Sequence, residues 1–128
     1  MPSRAQDWLN QAIRDLEQAQ DSQNAGRHEW TCFAAQQAAE KAVKALYLHP
    51  GRKRGQIIAR LLAELPASVA APSSLMDKAR VLDNFYIPAR YPNSHPQGAP
   101  FEHYGPLQSE AAIRYAREII DFTRTQMA

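Results

Sequence analysis

The densest set of side chains able to bind or react lies between Pro88 and Pro106, which holds Arg90, Tyr91, His95, Phe101, Glu102, His103 and Tyr104. Arginine offers a planar two-point contact to phosphate or carboxylate. Histidine exchanges protons, and the aromatic rings offer faces for stacking. Five of the nine prolines and two of the five glycines fall in this segment, which has no helical period. Connections this long are uncommon in compact domains and are often functional. The competing reading is that Tyr91, Phe101 and Tyr104 only pin the segment to the rest of the chain.

Several chemistries find no support. Cys32, His28, His49, His95 and His103 share no spacing of the kind zinc sites show. There is no phosphate-binding glycine loop, no paired catalytic carboxylate motif and no glycine-serine pattern with an acidic pair that would mark a nucleotidyltransferase. No metal and no cofactor are expected. A net charge of +2 is too weak by itself to argue for nucleic acid. The excess of arginine over lysine suits anion contacts and is also a common compositional bias. A single cysteine rules out an internal disulfide framework and favours a cytoplasmic setting. No apolar run approaches the roughly 18 residues of a membrane span, and the first residues lack the apolar core of a secretory signal.

The elements that must position these groups are helical. From Thr31 to Leu48 the chain contains no glycine or proline, and Ala35, Ala38, Ala42, Ala45 and Leu46 recur at steps of three and four. That spacing places them on one helical stripe, and methyl side chains let a neighbouring helix come close. Phe33, Gln37, Glu40, Lys41 and Lys44 lie elsewhere around the same helix. Before it, Ser3 and Gln6 form a capping-box pattern, followed by an apolar stripe of Trp8, Leu9, Ala12, Ile13, Leu16 and Ala19, stopped at Asn24 and Gly26. A short helix is expected over Ile57, Ile58, Leu61, Leu62 and Leu65. Another is expected from a Ser74 cap, through Leu75, Ala79, Leu82 and Tyr86, to Pro88. The last carries Ala112, Tyr115, Ala116, Ile119 and Phe122. With 128 residues and no strand alternation, the expectation is one all-α domain over residues 1–128. Its architecture is an antiparallel up-and-down four-helix bundle with one additional short helix.

The stretch Cys32-Phe-Ala-Ala-Gln-Gln-Ala-Ala-Glu-Lys-Ala-Val-Lys-Ala45 resembles the second-helix signature of HEPN domains, the "higher eukaryotes and prokaryotes nucleotide-binding" family. Asp15-Leu-Glu-Gln-Ala19, Ala89-Arg-Tyr-Pro92 and Ala116-Arg-Glu-Ile-Ile-Asp-Phe122 agree in order, so the resemblance covers nearly the whole chain. It implies a homodimer and a nucleotide- or RNA-binding interaction module, partnered with a separately encoded minimal nucleotidyltransferase as in toxin–antitoxin pairs. Gln37, Glu40, Lys41, Lys44 and Tyr91 are the ligand-binding residues it suggests. The bland alternative is that Gln37 and Glu40 bridge neighbouring helices.

Catalytic HEPN domains carry an arginine followed after four to six residues by a histidine. Arg90-Tyr-Pro-Asn-Ser-His95 resembles that motif, which implies a metal-independent ribonuclease. There His95 would move protons at the 2′-hydroxyl or leaving oxygen, and Arg90 would hold the phosphate as charge builds. With so many arginines, about one such spacing is expected by chance, so its position after the fourth helix carries the weight. Tyr91 stands where nucleases often have a polar residue. Pro92 and Pro96 exclude helical presentation of the pair. A third reading is a structural adaptor without a ligand. Arg52-Lys-Arg54 with Arg60 is either a phosphate contact or a solvated turn.

Overall fold

The structure is a computed structural model and describes residues 4–47 and 55–128. The Ser3 cap and the basic residues at 52–54 lie outside the described residues. Among the described residues five α-helices follow one another: α1 (Ala5–Asn24), α2 (His28–Lys44), α3 (Ile58–Ala63), α4 (Ser73–Asp83) and α5 (Pro106–Met127). The chain is all-α, a four-helix bundle of α1, α2, α4 and α5 with α3 as the short extra helix. No strand occurs among the described residues. None of the helices is long and apolar enough to cross a membrane.

The centre of the bundle is α2, which packs on every other helix. Ala35, Ala38 and Ala42 are completely buried, as their spacing predicts, and so is Ala39. Two threonines use the close approach that alanine permits. The Thr31 hydroxyl donates to the Ala19 carbonyl of α1, and the Thr123 hydroxyl of α5 donates to the Ala42 carbonyl, each at 3.1 Å. Each also satisfies a hydroxyl that would be costly to bury alone. Cys32 is buried among them, and burial, reinforced by Glu29, pushes its thiol up to about 12. It is an inert packing residue.

Helix ends explain the remaining boundaries. The α1–α2 turn is three residues long and needs Gly26 at φ +75°, a conformation disfavoured for residues with a Cβ. Pro106 occupies the first turn of α5, and the Gln108 side chain accepts from the Gly105 N–H at 3.0 Å.

Three expectations are corrected. Ser74 caps nothing: α4 begins one residue earlier, behind Pro72, and Asp77 pairs with Arg80 instead. Helix α4 ends at Asp83 rather than at Pro88, and turns carry the chain on to Arg90. Ile57 faces outward, because it lies just before α3, in extended backbone. The segment from Pro88 to Pro106 holds two single 3₁₀ turns, Pro92–Ser94 and Pro100–Glu102. Tyr104 does pin this segment, its ring meeting Phe85 edge to face at 5.8 Å. Phe101, 65% exposed, does not.

Candidate functional site

Arg90 sits in a box of aromatic rings. Its guanidinium lies 4.4 Å from the centre of Phe33, 4.6 Å from Tyr86 and 5.2 Å from Tyr91. Its Nε donates to the Tyr86 carbonyl at 2.8 Å. The terminal amino groups find no acceptor among the described residues, so the fork is oriented and still has donors to give. Cation–π contact holds such a group without neutralising it. Phe33 also meets Trp30 edge to face at 6.1 Å. Trp30 and Tyr91 are 47% and 48% exposed.

His95 belongs to a different constellation. Its ring is stacked on His103, with centres 4.2 Å apart and planes 4° from parallel. Each Nε2 lies 2.7 Å from a backbone carbonyl, Pro88 for His95 and Gln97 for His103. A carbonyl can only accept, so Nε2 carries the proton in both rings and Nδ1 is the face left over. Arg90 lies against Phe33 of α2, whereas His95 ties the start of the loop at Pro88 to its later part at His103. Among the described residues, no hydrogen bond or ring contact is seen between the two. As the prolines require, no helix presents them.

The polar residues of α2 divide into two groups. Gln37 and Lys41 line a groove of about 460 Å³ between α1 and α2, together with Asp15, Gln18, Trp30 and Phe33. Lys41 pairs there with Asp15 of α1. Glu40 and Lys44 point away from it. Their side chains are only 9% and 12% exposed, with Lys44 Nζ 3.6 Å from Glu40 Oε2 and 5.9 Å from the Trp8 ring centre. Trp8 of α1 lies against Lys44, a contact that local spacing along α2 cannot reveal.

The buried Glu40 Oε1 has no hydrogen-bond partner among the described residues. Burial raises the Glu40 carboxyl above its ordinary 4.5, more than the opposing attraction of Lys44 lowers it. A raised folded value means that the protonated form stabilises the fold. That stability is fully present below 4.5 and is lost as pH rises through the folded value. Glu40→Gln is therefore expected to raise the thermal midpoint at pH 7 and to leave it unchanged below pH 4.5. An unchanged or lower midpoint at pH 7 would show that the Lys44 pair outweighs the burial.

Three features escaped sequence reasoning, the first being the pairing of Lys41 with Asp15. Asp15 and Lys41 are far apart along the chain, and nothing in spacing couples them. His103 had no assigned role, although its placement eight residues from His95 in a proline-rich loop was visible. Trp30 and Phe33, one helical step apart and just before the Gln-Gln run, carried a signal that an aromatic face adjoins the polar one.

A HEPN domain model matches residues 5–126. The chain belongs to the HEPN family. Solved structures agree over its length. It is similar to TT1696 from Thermus thermophilus, with 46% identity over 97% of this chain and 98% of that one, and a TM-score of 0.92. It is similar to ST0689, an archaeal HEPN homologue, at 37% identity over the whole of both chains, TM-score 0.82. A HEPN domain protein of Thermotoga maritima shares 34% identity over 94% and 97% of the two chains, TM-score 0.75. No curated protein matches. For this HEPN protein, the family resemblance carried by the Gln-Gln-Ala-Ala-Glu-Lys run is borne out.

Proposed function

We propose that this HEPN protein is a nucleotide- or RNA-binding interaction module, in which Arg90 receives a phosphate. The observation that carries the reading is the guanidinium held against Phe33, Tyr86 and Tyr91 with its terminal donors unused. An oriented arginine loses little freedom when it takes an anion in two-point contact. Exposed tyrosine and tryptophan beside it suit stacking of unpaired bases. The same mixture of Trp, Tyr and Arg suits a protein interface. A homodimer, and a separately encoded minimal nucleotidyltransferase as partner, fit this reading in a cytoplasmic setting. A light-scattering mass near 14.4 kDa at micromolar concentration would count against the homodimer.

The test is anisotropy with a labelled single-stranded RNA, over a range of salt. Binding is expected to weaken as salt rises. Arg90→Ala should weaken it about tenfold to a hundredfold, the worth of hydrogen bonds to a charged group. Arg90→Lys should fail similarly, because an ammonium does not reproduce the planar fork. Unchanged affinity in both variants would remove Arg90 from the site. The same RNA is followed for cleavage, with and without EDTA. Metal-independent cleavage that His95→Ala abolishes would replace this reading with the ribonuclease one.

A further inference from the structure

We infer that the groove between α1 and α2 is a pocket for a nucleobase, joined through Phe33 to the anion seat at Arg90. The inference rests on the reading of Arg90 given above and adds to it a second subsite, for the uncharged base. Phe33 is the link, since its ring carries the Arg90 guanidinium and also lines the groove. At about 460 Å³ the groove lies within the range of small-ligand sites, roughly 300–1,000 Å³.

Its lining selects the class of ligand. Trp30 is about half exposed, and no ring of the described chain stacks face to face on it. A planar group therefore has an aromatic surface to cover. The rim offers both hydrogen-bond senses. Gln37 donates its amide to Gln36 and Gln18 donates its amide to Ser22, so each keeps its oxygen as an acceptor. Lys41 has N–H groups beyond the one given to Asp15, and Arg27 adds donors at the edge. A planar heterocycle with ring donors and acceptors meets all of these at once. A bare phosphate does not, because the Asp15 carboxylate lies beside the cation that would receive it. The charged end of a nucleotide is thus directed outward, past Phe33, to Arg90. Stacking on an aromatic side chain is worth about 1–3 kcal/mol per base, so the groove adds measurably to what the phosphate contributes.

The experiment compares calorimetric binding of the four ribonucleosides, their 5′-monophosphates and inorganic phosphate. The proteins are the parent chain, Ala34→Phe, which fills the groove, Gln37→Leu, which removes a rim acceptor, and Arg90→Ala. Circular dichroism checks that each variant is folded, and Gln37→Leu carries the test if Ala34→Phe is not. At least one nucleoside is expected to bind the parent and Arg90→Ala equally, and to weaken about tenfold or more when the groove is filled. Its monophosphate should bind more tightly, and should weaken in both the groove variants and Arg90→Ala. Monophosphate binding that needs Arg90 but ignores Ala34→Phe and Gln37→Leu overturns the base pocket and leaves the anion seat standing. Nucleoside binding that depends on the groove, with no gain from the phosphate and no loss in Arg90→Ala, overturns the anion seat and supports the pocket. If no compound binds, both are overturned.

Discussion

Ala42→Leu is expected to destabilise the protein by about 1–3 kcal/mol, the usual cost of forcing extra methylenes into a packed core. Ala42 is completely buried where α5 crosses α2, and its carbonyl accepts the Thr123 hydroxyl. A leucine there must displace α5 or adopt a poor rotamer, and moving α5 also breaks that hydrogen bond. For a chain of this size the thermal midpoint should fall by roughly 3–5 °C per kcal/mol. Ala63→Leu, at an exposed position at the end of α3, is the control and should stay within about 0.5 kcal/mol of the parent. Equal midpoints for the two variants would mean that the α2–α5 contact is not tightly packed.

Asp83→Ala is expected to have a comparable effect by a different route. The Asp83 carboxylate at the end of α4 accepts from two backbone N–H groups at the start of α3, Ile58 at 2.6 Å and Ala59 at 3.0 Å. These belong to the first turn, whose donors have no partner within their own helix. Removing the carboxylate strands both, at about 1–3 kcal/mol for a buried donor left unmade. Asp83→Asn keeps one acceptor and should cost less. Hydrogen exchange gives the local readout: the Ile58 and Ala59 amides should exchange faster in Asp83→Ala, while the α2 and α5 amides change only with global stability. If the amides of α3 stay as protected as in the parent, another group caps this helix.

Much of the fold is legible in the chain itself, because helical period, proline and glycine act locally. The recurrence of Ala35, Ala38 and Ala42 identified the buried stripe of α2 without reference to any neighbour. The Gln-Gln-Ala-Ala-Glu-Lys run carried the family. Pro92 and Pro96 already excluded a helix joining Arg90 to His95.

What remained required the neighbours. Glu40 and Lys44 are largely buried, with Trp8 of another helix against Lys44, and spacing along α2 does not show this. Asp15 meets Lys41, and Asp83 meets the start of α3, because helices far apart in sequence are brought side by side. The same is true of the site. Sequence placed Arg90 and His95 in one motif, whereas side-chain packing turned Arg90 onto Phe33 of α2 and His95 onto His103. Period and propensity depend on residues a few positions apart. The direction in which a loop side chain points depends on which surface it can cover, and that surface exists only once the bundle has formed.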